Sequence, residues 1–112
     1  MYEVLEDINR TSGVTGSMVV GHDGIVIAAD LDTRYQEETV GALAASITAN
    51  VNKSLERLEE DDLSQITIEA THGKVFMASN EVGILVVTAD SNVNIGLIRL
   101  EMKNAVSRIK TQ

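Results

Sequence analysis

Several stretches of the 112-residue chain combine residue types that could do chemistry. Gly16-Ser-Met-Val-Val-Gly21 has the glycine spacing of a phosphate-binding P-loop. That motif continues with Lys and Ser/Thr, which neutralise phosphate and hold magnesium. Here His22 and Asp23 follow, and an aspartate repels phosphate, so both glycines read as loop and turn residues. His22 and His72 fall in two separate turn segments, whereas zinc wants three or four convergent ligands; both read as solvated turn residues. Glu59-Glu-Asp-Asp62 is the densest acidic run, but it lacks the alternating ligands and central glycine of a calcium loop. It reads as a solvated helix-to-strand loop, and Asp30 and Asp32 as strand-end and cap residues. No catalytic constellation, metal site or cofactor site is expected.

Composition narrows the classes further. Nine basic against 17 acidic residues give a formal net charge of −8, which opposes nucleic acid as a partner, because phosphate binding rests on Lys and Arg. It equally opposes a polybasic membrane site, and no apolar run approaches the ~18 residues of a membrane span. The absence of Cys excludes disulfides and thiolate chemistry. Acids occupy the first residues where a signal peptide needs Lys or Arg, so a cytoplasmic protein without membrane insertion is expected.

The elements that would position any site follow from periodicity. Val4, Leu5 and Ile8 lie at helical spacing from Tyr2 to about Asn9, with Gly13 as a stop. Met18-Val-Val and Ile25-Val-Ile-Ala-Ala flank Asp23-Gly24, a hairpin signal because Gly takes a positive φ without steric cost. Val40, Leu43, Ala44, Ile47, Val51, Leu55 and Leu58 form one apolar stripe on a long helix from Arg34 to about Glu59. Thr33-Arg-Tyr-Gln36 matches a capping box at its start. Gln65 to Thr71 alternates, as an edge or half-solvated strand does, whereas Lys74–Ala78 and Gly83–Ala89 are apolar on both faces and belong in the sheet centre. His72-Gly73 and Asn80-Glu81 supply the turns between these strands.

Asp90 to Asn94 offers N-caps for a last helix with Ile95, Ile98, Met102, Ala105, Val106 and Ile109 on one face. Leu97 and Leu100 fall off that face, and the first helix is expected to cover them. The sum is a single domain over residues 1–112: an α/β (α+β) sandwich whose five-stranded antiparallel sheet carries one long helix on one face and two on the other.

A second stripe on the long helix, Gly41, Ala45, Thr48, Ala49 and Asn52, consists mainly of small residues. Such a row lets another helix backbone approach closely. Helix propensity accounts for the alanines but not for Gly41, which costs about 1 kcal/mol mid-helix relative to Ala. The stripe is therefore expected to pack against a second copy. The alternating strand fits the same picture, since an unpaired edge can be completed by its own copy.

Three segments together resemble the Roadblock (dynein light chain) family. Val4-Leu5…Ile8…Ser12-Gly-Val-Thr-Gly-Ser-Met-Val-Val…Asp23-Gly-Ile-Val-Ile-Ala-Ala looks like its opening, Gly83-Ile-Leu-Val-Val-Thr-Ala-Asp its central strand, and Asn94-Ile-Gly-Leu-Ile-Arg-Leu-Glu-Met-Lys-Asn-Ala-Val its last helix. The resemblance implies a profilin/longin-like fold with strand order 2-1-5-4-3, and a homodimer. Third strands would pair across the two-fold axis, here Gln65, Ile66, Thr67, Ile68, Glu69 and onward to Thr71. Second helices would pack side by side through Gly41, Ala45, Thr48, Ala49 and Asn52.

It also implies a non-enzymatic regulator or scaffold of a small Ras-like GTPase, extending to a GTPase-activating role, with Arg34, Lys53 and Arg57 as partner-facing cations. A dynein-type assembly adaptor without effect on GTP hydrolysis is a second implication. A PAS-type sensor shares the strand order but needs a ligand cavity between helices and sheet, and the few aromatic residues here argue against one.

Overall fold

The computed structural model describes residues 1–59 and 62–110. In chain order it forms α1 (Tyr2–Asn9), β1 (Val14–Val20), β2 (Val26–Asp30), α2 (Glu37–Arg57), β3 (Gln65–Ala70), β4 (Gly73–Ser79), β5 (Ile84–Ala89) and α3 (Ile95–Ser107). The five strands make one antiparallel sheet in the order β2-β1-β5-β4-β3, as the resemblance implies.

Strand composition explains this order. Every residue of β5 is buried, because the strand is central and covered on both faces. Leu85 and Val87 enter a core with Leu5, Ile8, Phe76, Ile98 and Met102, closed by α1 and α3. Ile84 and Val86 turn the other way, toward Met18, Val20, Met77 and Ala44 under α2.

The two sheet edges differ. Along β2 the register slips: Val20 opposes Val26 while Val19 opposes Ala28, leaving Ile27 as an extra residue. Such a bulge spoils an edge as a template for a further strand. β3 pairs with β4 through six uninterrupted positions, Gln65–Ala70, and its outer side is regular.

The polar framework is local. Asn94 caps α3, its Oδ1 accepting from the Leu97 amide at 3.0 Å. Asn80 holds the β4–β5 turn: its Oδ1 accepts from the Val82 amide, and its Nδ2 donates to the carbonyls of Val106 and Ile109 at the end of α3. Asp7 ties α1 to α3 through Arg108 at 2.7 Å and also meets Arg10. The hydrogen bond from Arg108, with the positive field of both guanidinium groups, holds the Asp7 carboxyl below the usual carboxylate range.

Three local expectations are corrected. The capping box at Thr33 does not form, because Asp32 organises that stretch as a turn; its Oδ1 accepts from the Arg34 amide and its carbonyl from the Tyr35 amide. α2 starts after Gln36, which makes no side-chain cap, and Glu37 and Glu38 complement the positive helix end instead. Leu97 and Leu100 are not covered by α1; they are 40% and 57% exposed. Thr71 lies in the β3–β4 turn with His72, so the strand ends at Ala70.

Gly41 and Thr48 face their own sheet. A Cβ on Gly41 would sit 3.0 Å from the Gly24 carbonyl oxygen and from Val20 Cγ1, so this glycine seats α2 directly on the β1–β2 hairpin. Gly24 itself takes φ 87° in that hairpin turn. Thr48 is 3% exposed, and its hydroxyl has no hydrogen-bond partner.

Two outcomes follow for urea denaturation. Thr48→Val removes a buried unpaired hydroxyl at similar shape and raises stability by about 1 kcal/mol. Gly41→Leu overpacks the helix–hairpin contact and lowers it by about 2 kcal/mol. For pH, the stabilisation from Asp7 is present above the usual carboxylate range and is lost as pH falls through the lowered pKa. Asp7→Asn therefore flattens the acid limb of a Tm-against-pH profile.

Candidate functional site

α2 lies over β2, β1 and β5, so the same face of β4 and β3 is left partly bare. β3 and β4 present Ile66, Ile68, Val75 and Met77 there, and of these only Met77 is fully buried. The near wall is the flank of α2, with Val40, Leu43 and Ile47, and the end is closed by Tyr35 and Arg34. Ile68, Val75 and Met77 with these walls bound an apolar groove of ≈ 380 Å³, and Ile66 lies on the same sheet face outside its lining. Leu43 stands on its rim, 56% exposed. Beyond the groove runs the open edge of β3, with unpaired backbone groups on its outer side. An apolar trough beside a regular open edge has the chemistry of an association surface: apolar burial supplies the driving force and backbone hydrogen bonds the register.

The sequence-derived site residues divide on this geometry. Ile68 lines the groove and Ile66 lies on the same sheet face, whereas Thr67, paired with Phe76, belongs to the α3 side. Gln65 also reaches that side, its Nε2 donating to the Arg99 carbonyl at 2.8 Å. Glu69 is exposed at the far end of the strand.

The small-residue stripe is not one outward row. Gly41 and Thr48 are consumed under α2, and Ala45 lies half-buried against Gly24. Ala49 and Asn52 are exposed on the flank away from the groove. Gly41 and Thr48 therefore have no surface left to offer a second helix. Of the stripe assigned from periodicity to the core, Ala44 is fully buried and Val40 and Ile47 pack partly buried against the core, whereas Leu43 turns outward.

The three cations do not cluster. Arg34 precedes α2, pairs with Asp32 at 3.5 Å and stacks over Tyr35 at 5.2 Å. Lys53 and Arg57 lie exposed near the other end of the helix, roughly 30 Å away at 1.5 Å per residue. The histidines are as far apart: His22 meets the Asn80 carbonyl at 2.8 Å in the β1–β2 turn, and His72 sits in the β3–β4 turn at the opposite end of the sheet. Of the acidic run, Glu59 follows the end of α2 with φ 56°, and Glu60 and Asp61 lie outside the described residues. Gly16 lies inside β1, where a Cβ would be 2.7 Å from Leu31 Cα, so the P-loop-like spacing builds no loop.

The family model for the Roadblock/LC7 domain matches residues 1–89. The chain belongs to the Roadblock/LC7 domain family. Uncharacterized protein MJ0714 of Methanocaldococcus jannaschii is 46% identical over 107 residues, covering 96% of this chain and 91% of the relative. Among solved structures, a Roadblock/LC7 domain from Streptomyces avermitilis superposes with a TM-score of 0.87 at 19% identity, covering 96% of this chain and 92% of the other. Myxococcus xanthus MglB gives 0.86 at 20% identity, covering 94% and 87%. At these identities the structural likeness shows a shared fold.

Leu43 carries the groove's exposure without holding the monomer together. Leu43→Lys is expected to shift the urea midpoint by less than about 0.5 kcal/mol equivalent, measured at concentrations where the chain is monomeric.

Proposed function

We propose that this Roadblock/LC7 chain is a non-enzymatic homodimeric regulator or scaffold that binds a small Ras-like GTPase in the cytoplasm. The observation that carries the reading is the groove: Ile68 and Val75 on its floor, and Ile66 beside it, are half-buried in the isolated chain, and it adjoins a regular strand edge. A second copy related by a two-fold axis satisfies both at once, β3 pairing with β3 and the α2 flanks packing together. The contact would run through Val40, Leu43 and Ile47, with Ile66 and Ile68 below. Ala45, Ala49 and Asn52 would lie further from the axis than their small side chains suggest.

The paired α2 helices would then form the platform for a GTPase, in keeping with the regulatory role that the family resemblance implies. Stimulation of hydrolysis would act by ordering the GTPase's own switch loops, because GTPase catalysis is largely positioning and electrostatics. Arg34 is engaged with Asp32 and Tyr35, a poor starting point for an arginine finger, and Arg57 is a solvated surface residue.

Light scattering is expected to give twice the 12.1 kDa chain mass, and Leu43→Lys to return it to the single-chain value. A wild-type monomer at micromolar concentration overturns the dimer. Single-turnover GTP hydrolysis with a co-purifying small GTPase should change on adding the wild-type dimer and change less with Leu43→Lys. Arg34→Ala and Arg57→Ala should each retain the effect within about threefold. An arginine finger would lose about a thousandfold or more, and a GTPase indifferent to the dimer in both hydrolysis and exchange leaves only a scaffold.

A further inference from the structure

Helix α3 is the one described helix whose cations outnumber its acids. The segment Ile95–Lys110 carries Arg99, Lys103, Arg108 and Lys110 against Glu101 alone, in a chain of net charge −8. Arg108 is engaged with Asp7, but none of the ion pairs among the described residues takes in Arg99 or Lys103. Both are exposed, and they flank Leu100, 57% exposed, with Leu97 one turn earlier, 40% exposed. Isolated surface leucines are ordinary. Two exposed leucines bordered along one side by unpaired cations, with Glu101 one turn on from Leu97 along the other, form a polarised surface on the one described helix with a basic excess.

The ridge is also held in place. Ile98, Met102 and Ala105 anchor the inner face of α3 in the core. Asn94 caps its start, the Gln65 side chain grips the Arg99 carbonyl, and Asn80 grips the carbonyls near its end. α3 lies on the opposite face of the sheet from α2, so this surface is separate from the groove and does not depend on the reading given for it.

We infer that the outer face of α3 is a second docking surface, whose partner is an acidic amphipathic segment of another protein. Charge fixes that choice. Arg99 and Lys103 would each meet a carboxylate of the partner, while Leu97 and Leu100 receive its apolar side chains. A second copy meeting this face about a two-fold axis is disfavoured, because it would set Arg99 and Lys103 against the same cations of the other copy. An anionic membrane is disfavoured as well: a lipid-binding patch uses roughly four to eight clustered cations, and of the unpaired cations here only Arg99 and Lys103 adjoin the leucines, Lys110 lying beyond the end of α3.

The test is a titration of the ¹⁵N-labelled full chain with a synthetic amphipathic helix of about 18 residues, leucine on one face and glutamate on the other. Amide shifts are expected to concentrate in residues 96–104. The apparent Kd should weaken about tenfold in R99E/K103E and about threefold in Leu100→Ser, and it should weaken further as salt rises from about 50 to about 300 mM. All three side chains are exposed, and an unchanged spectrum outside α3 confirms that each variant is folded. Shifts centred on the α2 groove, affinity unchanged in R99E/K103E, or equal binding of the lysine-for-glutamate peptide would overturn the proposal. So would co-sedimentation with phosphatidylserine vesicles that R99E/K103E abolishes while the peptide fails to bind; that result assigns the ridge to lipid.

Discussion

One helix cannot cover five strands. An α-helix with its side chains is about 10–12 Å across, and strands are spaced about 4.8 Å apart, so a five-stranded sheet is nearly twice as wide as the helix laid on it. On one face the chain supplies two helices, and α1 and α3 together close the core around Leu5, Phe76, Ile98 and Met102. On the other it supplies only α2. Gly41 then decides where that helix sits: lacking a Cβ, it lets α2 drop onto the β1–β2 hairpin, within contact of Gly24 and Val20. The helix is drawn toward the β2 side, and the uncovered strip is left at β3 and β4. The groove, the half-buried isoleucines of β3 and the exposed Leu43 all follow from that placement.

The fold was largely legible because strand burial leaves a direct mark on composition. Gly83-Ile-Leu-Val-Val-Thr-Ala89 is apolar on both faces from Ile84 to Val87, as a strand covered on both faces is, and β5 is the central strand. Gln65–Thr71 alternates, and β3 is an edge. The resemblance then supplied the strand order, which local patterns do not contain, since they carry no information on which hairpin lies beside which.

The site was legible in outline and misread in detail, and the cause lies in helix geometry. The apolar and small residues of α2 span two neighbouring stripes, and periodicity alone does not say which one meets the sheet. Large apolar residues suggested that Leu43 faces inward, and small ones suggested that Gly41 and Thr48 face another helix. The structure reverses both, because a helix pressed close to a sheet needs small residues beneath it and pushes the large ones to its flank. The width of the combined arc was the signal: six large or medium apolar positions, Ala44 and a stripe of small residues are more than one face of one helix can bury. A similar error placed Leu97 and Leu100 under α1, a helix of eight residues that is too short to reach the outer side of α3.

The two faces of the sheet therefore do different thermodynamic work. The α1/α3 side is closed within one chain, and its core needs no second molecule. The α2 side is closed only in part, so covering Ile66, Ile68 and Val75 contributes free energy to whatever binds there and not to the isolated fold. That separation would let a chain this short fold alone and still keep apolar surface uncovered. Had α2 been seated centrally, by a larger residue at position 41 and a smaller one at 43, the sheet would be more evenly covered and the groove beside β3 would narrow. The small side chain at a single helix position thus sets how much apolar surface this chain leaves uncovered.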